Sequence, residues 1–237
     1  MKLCLPYLLA LGVCSSTFAA PNQLSDEEKT DGFTLIFDGK TMAGWKAFKG
    51  DASEEGWHVV DGAITLLKAG SGDLVSEEEY GDFDFRFEFR VAPQGNSGVM
   101  FRVSDDPKYK ATFLTGPEYQ ILDPQAFEKY NHELQAGNVG GSLYGLIPTK
   151  PGFSKPAEQW NEGRILLVEN RLQMWINGHQ TVDVVLGSEE YKELIAGTKF
   201  EKWEGFAAMP KGRFAFQDHG EEVAFRTIRV KRLDEEK

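Results

Sequence analysis

The chain has 237 residues and a formal net charge of −11. A chain this acidic is a poor partner for nucleic acid or an anionic membrane, because both require a basic surface, whereas a neutral carbohydrate is compatible with it. The length fits a single β sandwich or barrel, and 17 phenylalanines supply apolar material for its core.

Residues 1–20 have the three-part pattern of a secretory signal peptide. Lys2 precedes an apolar stretch over residues 3–13, and the small residues Ala19 and Ala20 follow as the cleavage point. The apolar stretch is too short to span a bilayer, and no later segment is apolar enough to do so. We therefore expect a periplasmic or secreted protein with no membrane contact beyond this segment.

Cleavage of the signal peptide would remove both cysteines of the chain, Cys4 and Cys14. The alternative is a lipoprotein cut before Cys14, which is disfavoured by Val13 immediately before that cysteine. The cleaved domain would have no disulfide, so its stability would depend on its apolar core.

The remaining chain predicts one β domain. Residues 21–31 are polar and predict a flexible lead-in, residues 32–233 form the domain, and residues 234–237 are a polar tail. Short apolar runs separated by Gly, Pro, Asn and Asp are typical of an antiparallel sandwich or barrel. The predicted strands are Phe33–Phe37, Trp57–Val60, Ala63–Leu67, Phe83–Val91, Ser97–Val103, Glu118–Leu122, Ser142–Leu146, Arg164–Glu169, Leu172–Ile176, Gln180–Val185, Arg213–Gln217 and Val223–Leu233.

Local signals support this pattern. Asp61-Gly62 and Asn177-Gly178 each separate two strand-like runs and predict tight hairpins. In Asp82–Val91, phenylalanine alternates with charged residues, which predicts one buried and one solvated sheet face. Ser188–Ala196 is the one short helix predicted, with Ser188 as its N-cap and Gly197 as its stop.

A first polar cluster lies within the strand-like run 96–103. Strand alternation would direct Val99 and Phe101 to one face, and Met100 and Arg102 to the other. An arginine on a concave sheet face could polarise a ligand oxygen or pair with a carboxylate, while a surface or structural ion pair is the equal alternative.

A second polar cluster spans residues 116–123. The strand period places Glu118 and Gln120 on one face and Asp123 on the other, unless a bulge intervenes. This arrangement argues against Glu118 and Asp123 as the paired carboxylates of an ordinary glycosidase. One acid beside an amide suits binding or a single proton transfer, and a solvent-facing edge strand is the alternative.

A third polar cluster ends a strand at Gln217, Asp218 and His219, before Gly220. Imidazole is well suited to proton transfer near neutral pH, and loops after strands often carry sites. A purely structural histidine is the more frequent alternative.

Other candidates are less specific. The five tryptophans, among them Trp45 and Trp203, could stack on sugar rings, although most such residues are core residues. The sequence shows no pair of histidines at ligand spacing, so a metal site would have to be assembled from distant segments. The irregular stretch 123–141, which includes His132, is long enough to be functional or mobile.

Twelve short segments extend over about residues 32–233 in a consistent order. They are Phe37–Lys40 with Gly44-Trp45, Trp57–Gly62, Asp73–Val75, Tyr80–Phe83, Asn96–Arg102, Glu118–Asp123, Leu143-Tyr144, Trp160-Asn161, Trp175–Gly178, Lys199-Phe200, Gln217–Gly220 and Phe225-Arg226. Through these segments the chain resembles the 3-keto-disaccharide hydrolase domain family. Two positions depart from the family pattern, because Met174 and Thr227 stand where members often have His and Asn. A substrate contact and a structural role are both open for these positions.

The resemblance implies a concanavalin A-like jelly-roll β-sandwich of two antiparallel sheets, in which the solvated, charged sheet face is expected to meet sugar. It also implies action on glycosides whose C3 hydroxyl a separate oxidoreductase has oxidised to a ketone. The chemistry would be removal of the C2 proton and expulsion of the C1 substituent, with a hydrolase or lyase outcome.

The hypothesis gives each candidate residue a role. His219 is the base, Glu118 the acid or substrate orienter, and Arg102 the enolate stabiliser. The substrate-binding candidates are Gln120, Gln217, Asp123, Tyr144, Lys199 and Trp45. No cofactor is required, although a divalent metal could replace Arg102 on the keto oxygen. The alternative function is a non-catalytic carbohydrate-binding module; an ordinary endoglucanase is disfavoured, because the sequence has no Glu-x-Asp-x-x-Glu strand.

Overall fold

A computed structural model describes residues 20–50, 56–126 and 139–234. The predicted signal peptide up to residue 19, most of the irregular stretch 123–141 with His132, and residues 235–237 of the tail lie outside the described residues. The elements are α1 (Asp26–Thr30), β1 (Thr34–Leu35), β2 (Trp45–Ala47), β3 (Trp57–Val60), β4 (Ala63–Leu66), β5 (Leu74–Ser76), β6 (Phe83–Val91), β7 (Asn96–Val103), β8 (Glu118–Leu122), β9 (Asn161–Val168), β10 (Arg171–Ile176), β11 (His179–Val185), α2 (Glu189–Ile195), β12 (Arg213–Phe216) and β13 (Val223–Arg232). Three short 3-10 helices cover Thr112–Leu114, Pro124–Ala126 and Lys199–Lys202.

The strands form two antiparallel sheets. The eight-stranded sheet has the order β11-β10-β9-β6-β13-β4-β3, with β1 paired to β13. The five-stranded sheet has the order β2-β5-β12-β7-β8. The fold is therefore all-β, as the sequence pattern predicts, and it is the concanavalin A-like jelly-roll sandwich that the family resemblance implies. Across the described residues, no helix is long and apolar enough to cross a membrane.

Aromatic side chains from both sheets fill the space between them. The apolar positions of β6 are buried, as the alternation in its sequence predicts. Phe85 of β6 stacks on Phe214 of β12 with ring centroids 3.9 Å apart, and Phe216 stacks on Phe225 at the same distance. Such contacts add to the free energy gained by burying the rings. They hold the two sheets together along β12.

The two predicted hairpins are present. Asp61 and Asn177 both have positive φ, and a positive-φ glycine follows each of them. This is the backbone that a two-residue turn of the primed type needs, since its twist matches that of the flanking strands. The predicted helix is confirmed as α2, in which the Ser188 side chain accepts a hydrogen bond from the Tyr191 backbone N–H.

The segment expected to be a flexible lead-in is instead ordered against the domain. α1 begins with a capping box in which the Ser25 and Glu28 side chains each bind the other's backbone N–H. The Asn22 side chain binds the backbone at Gly62 and at Thr227, where a positive φ interrupts β13. Polar composition did not reveal this order, because it comes from hydrogen bonds to distant strands.

Two short strands were not predicted, and one prediction is wrong. β2 and β5 are three residues each, too short for alternation to stand out. Ser142–Leu146, predicted as a strand, is a turn that makes only isolated bridges, among them Tyr119 with Leu143. It still lies against β8, since the Tyr144 backbone N–H donates to the Glu118 carbonyl oxygen at 3.0 Å.

The charged face of β6 is the outer face of the eight-stranded sheet. There the Asp84 carboxylate accepts paired hydrogen bonds from the guanidinium groups of Arg86 and Arg164. Arg229 joins Glu28 of α1 to Glu162 of β9. The charges on this face therefore bind one another, although a cavity lined by Arg86, Trp160 and Glu162 also lies there. The pocket that contains Glu118 and His219 lies on the other sheet.

Candidate active site

A pocket of about 330 Å³ opens on the outer face of the five-stranded sheet. This volume lies within the range of small-molecule sites. Its walls combine the ends of β7, β8 and β12 with two aromatic segments that lie over the sheet. It is lined by Asn96, Phe113, Gly116, Glu118, Gln120, Tyr144, Lys199, Phe200, Trp203, Phe206, Gln217 and His219.

β8 contributes Glu118 and Gln120 because its alternate residues, Tyr119 and Ile121, point into the core. This confirms the predicted facing of the strand. The Gln120 amide nitrogen donates to the Asn96 side-chain oxygen at 2.8 Å and to two backbone carbonyls, so its orientation is fixed. The Glu118 carboxyl lies over Gly98 of β7, where a Cβ would come within 2.3 Å of it. Glycine at this position therefore leaves the space that the carboxyl occupies.

The environment of Glu118 favours its neutral form. Burial raises the pKa of the Glu118 carboxyl to about 8; the charge of Lys199 acts to lower it and that of Asp73 to raise it further. At neutral pH this carboxyl is therefore mainly protonated and can donate a proton. A raised pKa of this kind, inside a pocket, is typical of a general acid.

The end of β12 contributes Gln217 and His219. The Gln217 backbone N–H donates to the Gly98 carbonyl oxygen at 3.0 Å, and the Ser97 hydroxyl donates to the Gln217 carbonyl oxygen. The Gln217 side-chain oxygen is buried with no hydrogen-bond partner among the described residues. A buried acceptor without a partner is costly, so a ligand hydroxyl that donates to it would be favoured.

His219 lies at the rim of the pocket with about 43% of its side chain exposed. Its Nδ1 is 3.8 Å from a carboxylate oxygen of Glu221. The imidazole can thus reach both solvent and a bound molecule. The structure places His219, Glu118 and the two glutamines Gln120 and Gln217 in one pocket.

The opposite wall is aromatic and carries one lysine. Phe200 stacks on Phe206 with centroids 4.4 Å apart and meets Trp203 edge-on at 5.2 Å. The Lys199 ammonium lies 4.6 Å from the centre of the Tyr144 ring and donates to the Tyr144 hydroxyl at 3.3 Å. Tyr144 and Lys199, both predicted to bind substrate, therefore line the pocket.

Arg102 lies outside the pocket, so its placement on the ligand-binding face is corrected. Its φ is +52°, and the register between β7 and β12 shifts at this point, which makes Arg102 part of a β-bulge. Its guanidinium donates to the Gly81 carbonyl oxygen, to Asp82 and to the Asn170 side chain at 2.8 Å. The bulge breaks the strict alternation from which the sequence prediction was made, and Arg102 joins neighbouring segments of the chain instead.

Two more predicted site residues are structural. Trp45 is buried, stacks on Phe216 at 4.5 Å and donates its indole N–H to the Ile36 carbonyl oxygen. The Asp123 carboxylate accepts hydrogen bonds from the backbone N–H groups of Gln94 and Gln125 and closes a turn. Both predictions of a substrate contact are therefore corrected. Met174, one of the departures from the family pattern, is buried in the core and does not line the pocket.

Several pocket residues were not predicted from the sequence. Phe113, Phe200 and Phe206 lie in irregular or 3-10 segments, where no periodicity shows which side faces the sheet. Trp203 appeared only as one of five tryptophans. Among the described residues, no three His, Cys, Asp or Glu side chains are grouped so as to hold a metal ion.

Comparison with known proteins matches the chain to one protein family. Residues 32–231 match the family described as the 3-keto-alpha-glucoside-1,2-lyase-like domain. The chain belongs to this family, whose members form one class of carbohydrate-active, hydrolase-like proteins.

Individual relatives agree with this assignment. A 3-keto-disaccharide hydrolase of Bacteroides thetaiotaomicron is 28% identical, over 86% of this chain and 79% of that protein. The crystal structure of a candidate glycosyl hydrolase from Parabacteroides distasonis is 33% identical with a TM-score of 0.81, over 91% of this chain and 100% of that chain. The carbohydrate-binding module CBM66 of Bacillus subtilis is 13% identical with a TM-score of 0.50, over 81% of this chain and 98% of that one, and shares the fold alone.

Proposed function

We propose that the protein cleaves glycosides that carry a ketone at C3 of the sugar, by removing the C2 proton and eliminating the C1 substituent. The observation that carries this proposal is the pairing in one pocket of a protonated carboxyl, Glu118, with a partly exposed imidazole, His219. An ordinary glycosidase needs two carboxyl groups across the scissile bond, and Glu118 is the one carboxyl among the described residues that line the pocket.

His219 takes the C2 proton, which the neighbouring ketone has made acidic. The electron pair of that C–H bond then forms an enolate whose charge lies on the C3 oxygen. When the enolate collapses, the C1–O bond breaks and Glu118 gives its proton to the departing oxygen. The products are an alcohol and an unsaturated ketone. Addition of water to the unsaturated ketone gives hydrolysis, while release before that step gives a lyase.

Lys199 replaces Arg102 as the proposed stabiliser of the enolate. Its ammonium is the one Lys or Arg charge among the described residues that line the pocket. A preorganised cation near the developing oxyanion lowers the barrier, because it needs no rearrangement during the reaction. The buried Gln217 side-chain oxygen would accept a hydrogen bond from a sugar hydroxyl and so orient the ring.

The proposal also includes the location of the protein and the source of its substrate. The signal-like residues 1–20 support a periplasmic or secreted location. A separate oxidoreductase would have to supply the 3-keto-glycoside, because the proposed chemistry consumes a ketone and does not make one.

A non-catalytic carbohydrate-binding module is the second candidate. It is supported by the shared fold with CBM66 and by the aromatic wall, which would suit stacking on a sugar. It does not explain a buried carboxyl whose pKa is about 8, since binding alone needs no proton donor.

Turnover of a matched substrate pair separates the two candidates. The purified protein is incubated with an aryl glucoside and with the same glucoside oxidised at C3, and release of the aglycone is followed. We expect release from the keto form only. Binding of the keto form without release, at all pH values between 5 and 9, would contradict the enzymatic proposal and favour the binding module.

A further inference from the structure

Asp73 lies immediately before β5 and is not among the residues that line the pocket. One carboxylate oxygen accepts a hydrogen bond from the backbone N–H of Asp218 at 2.9 Å. The other accepts a hydrogen bond from the hydroxyl of Thr112. Asp218 lies between Gln217 and His219, and Thr112 begins the 3-10 helix that carries Phe113. A single carboxylate thus joins two segments that line the pocket.

The position of Asp73 in the sheet explains why a side chain is needed here. β12 pairs with β5 through Ala215 with Val75 and Phe216 with Leu74, and the pairing then ends. Beyond that point the Asp73 side chain, rather than a backbone carbonyl, receives the Asp218 N–H. The Asp73 carboxylate therefore takes the place of a strand carbonyl and extends the hydrogen bonding between β5 and β12 into the segment that contains His219.

The Asp218 side chain in turn binds the backbone next to Asp73. Its carboxylate accepts hydrogen bonds from the backbone N–H groups of Ser71 at 2.7 Å, Gly72 at 3.1 Å and Gly220 at 3.1 Å. The segments 71–73 and 218–220 therefore hold each other through two aspartates. This arrangement fixes the backbone on both sides of His219 without placing either aspartate in the pocket.

The charge of Asp73 also acts on the pocket. Burial raises the pKa of the Asp73 carboxyl, as does the nearby Asp218, while the hydrogen bonds from Thr112 and Asp218 and the charge of His219 lower it. Asp73 in turn acts to raise the pKa of Glu118. An anion at this position therefore favours a protonated Glu118.

We propose that Asp73 is a positioning residue, whose carboxylate sets Gln217 and His219 at the proper distance from Glu118 and Phe113. This inference rests on the proposed function, since it assigns Asp73 to the same reaction. Misplacement of a catalytic group by about 1 Å can reduce a rate by about 100-fold, so a hydrogen-bond anchor of this kind has a large effect.

The test compares Asp73→Ala with Asp73→Asn in the full chain, using the oxidised aryl glucoside. We expect Asp73→Ala to lower kcat by about 100-fold with KM changed by about threefold or less. Asp73→Asn should recover most of the lost rate, because its side-chain oxygen can still accept from Asp218 and its amide nitrogen can donate to Thr112. A kcat of Asp73→Ala within about twofold of the wild type would overturn the proposal.

The matched control is Asp105→Ala. Asp105 accepts a hydrogen bond from Arg213, at the other end of β12, at 2.8 Å, and it does not line the pocket. Its loss should leave kcat and KM unchanged. If Asp105→Ala lowered kcat as much as Asp73→Ala, the effect would be a general consequence of weakening β12 and the proposal would be wrong.

A measurement that needs no substrate separates this inference from the proposed function. Amide hydrogen exchange of Asp218, followed by NMR, should be at least about tenfold faster in Asp73→Ala and in Thr112→Val than in the wild type. If the wild type cleaves no keto-glycoside, the proposed function is wrong. The exchange measurement still tests whether Asp73 holds the backbone at Asp218. Unchanged exchange in both variants would overturn the anchor, and Thr112→Val serves if Asp73→Ala does not fold.

Discussion

The two outer faces of the sandwich differ in whether their buried polar groups have partners within the protein. On the eight-stranded sheet, Asp84 is bound by two guanidinium groups, and Arg229 joins two glutamates. On the five-stranded sheet, Glu118 is buried without an ion pair among the described residues, and the Gln217 side-chain oxygen has no partner there. The first face is rich in charges that bind one another, while the pocket on the second face has one carboxyl and one lysine and carries groups that a ligand could satisfy.

The pKa values of two buried acids express this difference. Burial acts to raise the pKa of Asp84, but hydrogen bonds and charge from Arg164 and Arg86 outweigh it and hold the pKa below its ordinary value. Burial also raises the pKa of Glu118, and nothing outweighs it there. The proposed site is therefore marked by an unsatisfied polar group and a raised carboxyl pKa, and not by a high density of charge.

The largest effect is expected from His219→Ala. Removing the general base should lower kcat/KM by about 100-fold to 10,000-fold while leaving the melting temperature nearly unchanged, since the side chain lies at the pocket rim. Steady-state kinetics on the oxidised aryl glucoside measures this. The control is His179→Ala on the other sheet, where the imidazole stacks on Phe153 at 4.4 Å. An unchanged rate for His219→Ala would remove this residue from its role.

A substitution on the outer face of the eight-stranded sheet should lower stability and leave activity unchanged. Asp84→Ala leaves two arginines without their carboxylate, and breaking a buried ion pair in this way costs about 3–5 kcal/mol. Urea denaturation should show this loss of unfolding free energy. The kcat/KM of the remaining folded enzyme should match the wild type. A rate loss comparable to that of His219→Ala would mean that the two faces are not functionally separate.

Glu118→Gln should change the pH dependence of stability. Because the folded pKa of about 8 lies above the ordinary value of 4.5, the folded state holds a proton that the unfolded state releases between these values. The wild type is therefore fully stabilised below about pH 4.5 and loses stability as the pH rises to about 8, by on the order of 4 kcal/mol.

The amide that replaces the carboxyl in Glu118→Gln cannot ionise, so the stability of this variant should fall less over the same interval. Denaturation at pH 5 and pH 9 checks this, and the advantage of Glu118→Gln should appear at pH 9. Equal slopes for the two proteins would show that Glu118 is not the group with the raised pKa.

The smallest effect is expected from Trp203→Ala, on the aromatic wall. Loss of one ring that can stack on a sugar or aglycone should raise KM by about tenfold, with kcat changed less, because the ring takes no part in proton transfer. Isothermal titration with the oxidised glucoside provides an independent check. A fall in kcat with KM unchanged would place Trp203 in the reacting part of the site.

The sequence predicts the strands of the sandwich well where apolar and polar residues alternate regularly and the strand is long. β6 and β8 have the predicted bounds, because strict alternation over five residues or more leaves one way to bury the apolar side. The same alternation brings Glu118 and Gln120 to one face. Arg102 could not be placed correctly, because a bulge at a positive φ changes the phase of the strand and nothing in the residues 96–103 signals it.

The aromatic wall and Asp73 were missed for a different reason. Phe113 and Trp203 lie in irregular segments whose position depends on contacts with distant strands. Asp73 acts through hydrogen bonds to Thr112 and Asp218, which are far from it in sequence. Local patterns predict which face of a strand is buried, but not which loop will cover a sheet.

The most direct test of the proposed mechanism is deuterium entry at C2 of a 3-keto-glucoside in heavy water, measured by NMR with Glu118→Gln. This variant retains the base but lacks the acid for the leaving oxygen. We predict that it exchanges the C2 proton for deuterium while releasing aglycone at least about 100-fold more slowly than the wild type. Neither exchange nor release in the variant, or release from the wild type of a product that keeps the original proton at C2, would contradict elimination by this pocket.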